Sequence, residues 1–354
     1  MIPQGSGTDT DQEEPVAQRV EDLRIGFIGH GRHARANLYP ALELAGARLT
    51  SIATRDEAAA RAAAALHGAD RGHGDHRRML AEDALDAVFV SVAPEDQAAV
   101  AQECLEAGAH VFVEKPLGLN EAEARRVAET AERCGREVTV GFMKRHAPAY
   151  RRLAALMADE AAFGRVVSFQ GFFAFSPWTD TLRDDTYLKY GAIHLVDLVR
   201  WLFGDVAEVT GFRNSRGADI SMAMTLRTHS GVIGNLTLAG VPAWGREQEE
   251  LTVTGQRGFA RVENLTSLTH HHARPAAPGG AEPWQELGEE AVVVRSVNSP
   301  ASGGHQDLYL RGFAAEVRHF LDTVAHGAPS LSSAADNVGT MALCDELLSA
   351  LAPH

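Results

Sequence analysis

A glycine-containing turn near the amino terminus constrains the fold of this chain more than any other segment. It lies between an apolar, strand-like run, residues 24–28, and a helical stretch that begins at about residue 34. The turn has the pattern G-x-G-x-x-A. The first glycine allows the tight turn, the second lets a pyrophosphate approach the backbone, and the alanine lets the helix pack closely on the strand. The helix N-terminus also favours phosphate. The turn therefore predicts dinucleotide binding, against the alternative of a tight turn without a ligand, and the residues concerned are Gly29, His30, Gly31, Arg32, His33 and Ala34.

Strand-like and helical segments alternate regularly after the turn. This alternation predicts a doubly wound parallel sheet and an α/β fold class. The second half contains partly alternating apolar runs spaced by turn residues, which indicates an antiparallel sheet followed by two helices. We expect a disordered acidic tail over 1–22, a dinucleotide-binding domain over 23–142 and a second domain over 143–354. The predicted strands are residues 24–28, 49–53, 86–92, 110–113, 138–142, 166–173, 220–226, 231–238 and 251–254, and the two closing helices lie near 308–325 and 335–351.

The composition limits the partners that the chain can have. A net charge of −14 argues against binding to nucleic acid or to an anionic membrane, because both select a basic face. The three cysteines are far apart and form no C-x-x-C pair, which is typical of a reduced, cytoplasmic protein. The polar, acidic start has no apolar core of the kind found in signal peptides. No run of apolar residues is long enough to predict a membrane span.

The tripeptide Glu114-Lys115-Pro116 ends the fourth predicted strand. A lysine at the carboxyl end of a strand stands where open α/β sheets bind ligands. Pro116 holds Lys115 in an extended conformation, and a Lys-Pro step can also adopt a cis bond. The motif therefore predicts a lysine at a ligand site, and the alternative is an ordinary surface lysine. The preceding predicted strand ends at the same edge in Val92, followed by Ala93 and Pro94, and we expect these residues, with Glu114 and Lys115, to line the cofactor site.

The end of the second predicted strand bears on the choice of cofactor. An acidic residue there would bind the ribose 2′-hydroxyl of NAD. The chain instead reads Thr54-Arg55-Asp56. Thr54 is small and the Arg55 cation suits a 2′-phosphate, so the segment favours NADP(H) without excluding NAD(H). The alternative is that Asp56 caps the next helix and Arg55 points to water.

Taken together, these motifs resemble those of the Gfo/Idh/MocA oxidoreductases, the relatives of glucose-fructose oxidoreductase and inositol 2-dehydrogenase. The resemblance runs from about residue 23 to residue 351 and includes GFMKR at 141–145, GAIHLVD at 191–197 and VTGQRG at 253–258. It implies a Rossmann domain followed by a substrate-binding α/β domain, whose large, mostly antiparallel open sheet forms a homodimer or homotetramer interface. It also implies NAD(P)-dependent hydride transfer at a secondary alcohol or ketone of a sugar, amino sugar, nucleotide sugar or cyclitol. Lys115 would then lie beside the substrate hydroxyl.

His194 is the second catalytic residue that the resemblance implies. It opens a helix with an apolar stripe, and its imidazole suits acid/base work because it titrates near neutrality. The alternative is a helix-terminal histidine bonded to the backbone. Asp197, one turn further on, is expected to have a structural role.

The chain departs from the family pattern four residues before the histidine. Relatives carry Asp or Asn at this position, whereas this chain has Tyr190, preceded by Lys189. Tyr190 is therefore predicted to donate a phenolic proton or to contact substrate, and the alternative is an aromatic wall. Lys189 would favour an anionic substrate such as a uronate or nucleotide sugar, unless it faces solvent.

Four further residues are candidate substrate ligands. Lys144 and Arg145 lie at the domain junction and either bind substrate or form interdomain ion pairs. Trp178 and Tyr187 either stack on a sugar face or belong to the core. The histidine run at 270–272 has no second ligand set at recognisable spacing, so we expect it on the surface and expect no metal site.

These observations predict an NADP(H)-preferring oxidoreductase of a small polyol or sugar, with Lys115 acting on the substrate oxygen and His194 relaying the proton. Two alternatives stay open. One is an enzyme that retains NAD(P) and uses transient oxidation to drive elimination or epimerisation. The other is a non-catalytic, NADP-binding regulator.

Overall fold

The computed structural model describes residues 19–177, 182–241, 245–272, 290–296 and 304–351. The first of its two sheets has six parallel strands in the order β3-β2-β1-β4-β5-β6. The strands are β1 (Ile25–Ile28), β2 (Leu49–Ala53), β3 (Arg71–His73), β4 (Ala87–Val90), β5 (His110–Glu114) and β6 (Val138–Gly141). The helices around them are α1 (Tyr39–Leu44, after a π-helical turn Ala34–Leu38), α2 (Glu57–His67), α3 (His76–Glu82), α4 (Pro94–Glu106) and α5 (Glu121–Cys134).

Local chemistry explains where these helices begin and end. Asp56 caps α2 by accepting a hydrogen bond from the Ala59 backbone N–H at 2.6 Å, and Gly68 ends the helix in a left-handed conformation.

All four residues of β4 are buried, as expected of a parallel strand that is covered on both faces. The strand order reverses between β1 and β4, so the crevice at their carboxyl ends is where such a sheet binds its ligand.

The second sheet has eight strands in the order β14-β13-β12-β11-β7-β10-β9-β8. Among the described strands of this second sheet, only β7 and β10 pair in parallel. The strands are β7 (Val166–Ala174), β8 (Val206–Arg213), β9 (Ile220–Thr228), β10 (Ile233–Gly240), β11 (Gln248–Gly255), β12 (Gly258–Glu263), β13 (Ser267–His272) and β14 (Ala291–Arg295). The helices are α6 (Pro148–Ala158), α7 (Asp184–Thr186), α8 (Ile193–Phe203), α9 (Gln306–Arg311), α10 (Phe313–His326) and α11 (Ala334–Ala350). A Rossmann sheet followed by a large, mostly antiparallel sheet confirms the predicted fold class.

The two faces of the second sheet differ in polarity. Buried and exposed residues alternate along the whole of β9, which places its apolar side chains on the inner face. The buried set is Ile220, Met222, Met224 and Leu226. The opposite face is open and carries small and polar residues together with the exposed Phe212 and Ile233.

The last helices return to the first sheet. Phe313 and Phe320 of α10 share a buried cluster with Phe27, Phe89 and Phe112 of the parallel strands. A single helix was expected over 308–325, but Gly312 divides it. At Gly312 the backbone φ is +98°, and a Cβ atom would lie 2.0 Å from the carbonyl oxygen of Met143. The break brings the end of α9 next to the glycine-containing turn.

Three other expectations need correction. The strand β3 and the helix α3 were missed, because a three-residue strand is too short to show a periodic pattern. Val20–Asp22, inside the predicted tail, form a 3-10 turn. The histidine run lies in β13, where His270 is buried beside the ring of Phe163 because alternate strand residues face inward.

Within the described ranges, no helix combines the length and hydrophobicity that crossing a membrane requires. The three cysteines are free thiols, two of them buried.

Candidate active site

The glycine-containing turn forms an open cradle at the end of β1. Gly29 has φ +110°, and a Cβ atom there would lie 2.0 Å from the carbonyl oxygen of Ser91, so only glycine fits. A Cβ atom on Gly31 would meet no atom within 4 Å, and Ala34 is fully buried under the helix. The exposed backbone at Gly31 and the helix beginning behind it fit the pyrophosphate of a dinucleotide.

The other predicted cofactor residues of this edge lie around the cradle. The His30 ring contacts His67, with 3.0 Å between the two Nε2 atoms, and Arg32 is exposed. At the end of β4, Val92 packs partly against the core, Ala93 is exposed, and Pro94 is the first residue of α4. These positions fit the predicted cofactor edge.

His33 connects this turn to the Glu-Lys-Pro motif. Its Nε2 atom lies 2.8 Å from Oε1 of Glu114, which is 6% exposed. Its ring also packs edge-on against Phe313 at 5.6 Å. Burial opposes the ionisation of Glu114, but His33 and Lys115 outweigh it and hold the pKa of this carboxyl below its ordinary value. The sequence predicted both residues near the cofactor without predicting that they pair.

Lys115 lies at the carboxyl end of β5, with a cis peptide bond to Pro116. Its Nζ atom donates a hydrogen bond to the backbone carbonyl oxygen of Tyr190 at 2.6 Å. Burial lowers the pKa of this amine, and the nearby Lys144 lowers it further, while Glu114 and Glu247 act in the opposite direction. The net effect is a lysine whose pKa lies below its ordinary value.

His194 lies close to this amine at the start of α8. The side chain is 8% exposed, and its ring packs edge-on against Phe142 at 5.7 Å. Among the described residues, no group bonds its Nδ1 atom. Burial, followed by the charges of Lys115 and Lys144, holds the pKa of His194 well below its ordinary value. The ring is therefore neutral near pH 7, which suits a hydrogen-bonding partner of substrate better than the proton relay expected from the sequence.

The phenol of Tyr190 does not point at Lys115. It donates to Oε1 of Glu95 at 3.0 Å, across the cleft on α4. Burial and then Glu95 raise the pKa of Tyr190 to about 12. The predicted phenolic proton donor is therefore corrected: Tyr190 contributes its backbone carbonyl to the site.

The cation of Lys189 is engaged within the protein. Its Nζ atom lies 2.6 Å from both the Leu119 carbonyl oxygen and Oδ1 of Asp345. Lys189 therefore does not attract an anionic substrate, contrary to the expectation from the sequence. Tyr187 is a core residue, because its buried ring stacks on Phe175 at 4.4 Å and its hydroxyl donates to the Ala239 carbonyl. The predicted sugar contact of Trp178 lies outside the described residues.

The two junction cations are buried in ion pairs. Arg145 makes a two-pronged contact with Asp197, at 2.7 and 2.6 Å, and is 2% exposed. Arg145 therefore forms the ion pair that was the alternative to ligand binding, and Asp197 has the structural role expected of it. Lys144, also 2% exposed, contacts Glu249 and lies 3.3 Å from Oε1 of Glu247. Lys144 is not free to bind an anionic substrate group, although it is close enough to affect His194.

The predicted cofactor-selecting residues follow β2, and the structure bears out the alternative role of Asp56 as the cap of the next helix. Thr54 donates its hydroxyl to the Asp56 carbonyl at 2.8 Å, and Asp56 caps α2. Arg55 is exposed and bonds no group in the described part of the chain. Its guanidinium is therefore available to a ligand.

Two residues of the site have no signal in the sequence. Arg311, at the end of α9, donates to Oδ1 of Asn37 at 3.0 Å, beside the glycine-containing turn. Glu247 lies next to Lys144. Each comes from a segment far along the chain, so only the tertiary fold could reveal it.

Comparison with known proteins agrees with this geometry. Residues 23–142 match the family described as "Oxidoreductase family, NAD-binding Rossmann fold", and residues 150–261 match the GFO/IDH/MocA C-terminal domain. The chain belongs to the Gfo/Idh/MocA family. The resemblance drawn from the sequence is confirmed, and the protein is an NAD(P)-dependent oxidoreductase of this family.

Relatives within the Gfo/Idh/MocA family cover most of the chain. It is 26% identical to D-apiose dehydrogenase of Paraburkholderia graminis, over 96% of this chain and 91% of that protein. It is 31% identical to inositol 2-dehydrogenase 2 of Saccharopolyspora erythraea, over 72% and 78% respectively. The crystal structure of a dehydrogenase from Chromobacterium violaceum superposes with a TM-score of 0.80 at 19% identity, covering 93% of this chain and 95% of that one. The last match shows the shared fold.

Proposed function

We propose that this protein transfers a hydride between NADP(H) and a secondary alcohol or ketone of a sugar or cyclitol, with Lys115 as the acid/base. The observation that carries the proposal is the Lys115 amine at the end of β5, which the Tyr190 carbonyl binds at 2.6 Å, in the turn that leads directly into the helix of the buried His194. Both groups lie at the carboxyl edge of the parallel sheet, where such folds bind ligands.

Side chains of the protein transfer the hydroxyl proton of the substrate. When bound, the nicotinamide supplies or accepts the hydride. An alcohol that becomes a ketone also loses its hydroxyl proton, and the neutral amine of Lys115 accepts that proton at Nζ. In the reverse direction the ammonium form donates it. His194, neutral at the working pH, orients the same oxygen through its ring.

The Tyr190 carbonyl holds the amine in place for this transfer. A carbonyl accepts a hydrogen bond from either protonation state of lysine, so it orients Nζ without adding a negative charge beside it. A carboxylate would raise the pKa of the lysine. Because Tyr190 carries no carboxylate, no side-chain charge at this position opposes the neutral, proton-accepting form of Lys115.

The preference for NADP(H) rests on Arg55. Its exposed guanidinium stands at the end of β2, where the adenosine ribose lies in Rossmann domains, and carries no competing ion pair among the described residues. A guanidinium binds phosphate oxygens well. No acidic residue stands at the end of β2 to bind the ribose 2′-hydroxyl of NAD, and this also favours NADP(H).

The substrate class follows from the named relatives, which are dehydrogenases of D-apiose and of inositol. The test is a turnover assay of the purified protein with NADP⁺ and NAD⁺ on aldoses, ketoses and inositols. The readout is the absorbance of reduced nicotinamide. We expect turnover with at least one uncharged polyol. No turnover on the whole panel would contradict the proposal, and cofactor retained without net absorbance change would favour elimination or epimerisation.

We also propose that the second sheet mediates self-association. Its outer face is open, and Phe212 on β8 is 85% exposed. The strand register places Phe212 opposite Ala223, and Ala223 opposite Thr237, so these side chains share that face. Sedimentation velocity tests the proposal: a dimer or tetramer is expected, and a monomer at micromolar concentration would contradict it.

A further inference from the structure

A line of four polar side chains connects the last helices with the Glu-Lys-Pro motif. Each member contacts the next, in the order Arg311, Asn37, His33 and Glu114. Arg311 ends α9, and Glu114 ends β5. Asn37 and His33 lie between them, in the π-helical turn and in the glycine-containing turn that precedes it. The line therefore joins the cofactor cradle to the residue that precedes Lys115.

The amide of Asn37, which is 6% exposed, fits its neighbours in only one orientation. Nη1 of Arg311 lies 3.0 Å from its Oδ1 atom, and a guanidinium donates hydrogen bonds but accepts none. On the other side, the Nδ2 atom lies 3.2 Å from the backbone carbonyl oxygen of His33 and 3.2 Å from its Nδ1 atom. A carbonyl only accepts. The amide oxygen therefore faces Arg311, and the amide nitrogen faces His33.

This orientation fixes the position of the proton on the His33 ring. Because the amide nitrogen of Asn37 donates, Nδ1 of His33 accepts and carries no proton. The proton of the neutral ring is then on Nε2, which lies 2.8 Å from Oε1 of Glu114. A carboxylate accepts hydrogen bonds, so Nε2 donates to it. The contacts thus select the Nε2–H tautomer of His33, with its proton directed at Glu114.

The Glu114 carboxylate is confined between this donor and the neighbouring strand. The residue is 6% exposed, and a Cβ atom on Gly141 of β6 would lie 3.1 Å from its Oε2 atom and 3.2 Å from its Oε1 atom. Oε2 accepts a hydrogen bond from the backbone N–H of Lys115 at 3.2 Å. A buried carboxylate is costly unless its oxygens have donors, and His33 supplies the donor for Oε1. The bond from His33 therefore stabilises the arrangement that orients the Lys115 backbone.

Phe313, the first residue of α10, packs against two members of the line. The His33 ring lies edge-on to it at 5.6 Å, and the Arg311 guanidinium lies over its face at 4.8 Å. Arg311 is also 3.9 Å from Asp307, one turn earlier in α9. The aromatic ring thus supports the imidazole and the guanidinium at the spacing that Asn37 bridges.

We propose that His33 is a positioning residue for Lys115. Its Nε2–H group holds the Glu114 carboxylate against the Lys115 backbone, and Asn37 and Arg311 keep the proton on that nitrogen. His33 acts through Glu114 and transfers neither proton nor hydride. This inference rests on the proposed hydride transfer, in which Lys115 acts on the substrate oxygen.

Two substitutions test this role by kinetics. His33→Leu removes the donor, whereas His33→Gln offers an amide N–H to Glu114 and an amide oxygen to Asn37. With the preferred substrate, kcat should fall about tenfold or more in the Leu variant, because a misplaced acid/base group slows the chemical step. It should return to within about threefold of the native value in the Gln variant. The Kd for NADPH, from nicotinamide fluorescence, should stay within about threefold in both, since the backbone at Gly31 fits the phosphates.

His76→Leu is the matched control. Nε2 of His76 lies 2.7 Å from Oε2 of Glu103, a histidine–carboxylate contact of the same kind between α3 and α4. Neither residue belongs to the line or to the cofactor and substrate residues described above. Its kcat and its Kd for NADPH should equal those of the native enzyme.

Nitrogen NMR of the full chain, labelled with isotope-enriched histidine, tests the tautomer without any turnover. Comparison with the His33→Gln spectrum identifies the two His33 ring signals. Near neutral pH, Nδ1 should resonate as an unprotonated nitrogen and Nε2 as a protonated one. A protonated Nδ1, native kcat in His33→Leu, or an equal loss of kcat in the Leu and Gln variants would overturn the inference. Absence of turnover by the native protein on every compound would instead contradict the proposed function, whatever the tautomer.

Discussion

The Nζ atom of Lys115 donates a hydrogen bond to the backbone carbonyl oxygen of Tyr190 over 2.6 Å. The carbonyl belongs to a π-helical turn, Tyr187–Ala192, which leads directly into the helix that carries His194. Such turns widen the helix and are frequent at functional sites. The position of the lysine therefore depends on a backbone conformation, and the Tyr190 side chain is free to serve another contact, the bond to Glu95.

Tyr190→Phe should leave catalysis nearly intact. The variant keeps the carbonyl that holds Lys115 and loses only the partly exposed hydrogen bond to Glu95, so kcat should stay within about threefold of the native value. Steady-state kinetics with the preferred substrate measures this. A fall in kcat of about 100-fold would instead indicate that the phenol takes part in proton transfer.

Arg55→Ala should weaken NADP(H) binding selectively. Loss of a guanidinium–phosphate contact is expected to raise the Kd for NADPH about tenfold or more and to leave that for NADH unchanged. Fluorescence titration with both reduced cofactors measures the two values. The control is Arg61→Ala on α2, the helix that follows Arg55, since Arg61 is also exposed but already pairs with Glu57 at 3.2 Å. If the Kd values for NADPH and NADH rose equally, or neither changed, Arg55 would have no role in selecting the cofactor.

Arg145→Met should destabilise the protein by about 3–5 kcal/mol, because it leaves the buried Asp197 carboxylate without its partner. Urea unfolding monitored by circular dichroism gives this free energy of unfolding. Arg48→Met serves as the control, since Arg48 is 72% exposed in its pair with Asp70, and should change stability by no more than about 0.5 kcal/mol. If the Arg145 variant is as stable as the control, the pair is not a structural one and a ligand-binding role for Arg145 regains support.

Local patterns in the sequence predicted those parts of the site that local geometry determines. The turn at Gly29 and Gly31, the strand that ends in Lys115 and the helix that begins near His194 each follow from short motifs with one physical reading. The chain direction through the parallel sheet then brings the turn and the lysine to one edge. These are the parts that the structure reproduces.

Side-chain partners could not be predicted in this way. The charges of Lys189 and Arg145 looked available in the sequence, but their carboxylate partners, Asp345 and Asp197, lie 156 and 52 residues away. The direction of the Tyr190 side chain depends on the π-helical turn, which shares its sequence signals with an ordinary helix. Arg311 lies beside Asn37, and Glu247 beside Lys144, although each pair is far apart in the chain.

The pH dependence of activity should report on Lys115. Oxidation of an alcohol needs the neutral amine, so kcat/KM in this direction should rise with pH and level off above the pKa of Lys115. Since burial lowers that pKa, the midpoint should lie below the ordinary lysine value of 10.5. Reduction of the ketone needs the ammonium form, so kcat/KM in this direction should fall over the same pH range. A midpoint at or above 10.5 would contradict the environment described for Lys115.

The most direct test of the account is kcat of Lys115→Met, measured beside the Kd for NADPH in the same preparation. Methionine keeps the length of the side chain and removes the proton-transferring amine. We predict that kcat falls about 100-fold or more while the Kd stays within about threefold, because the amine acts on the substrate oxygen and not on the cofactor phosphates. A variant with native kcat would contradict the assignment of Lys115 as the acid/base of this oxidoreductase.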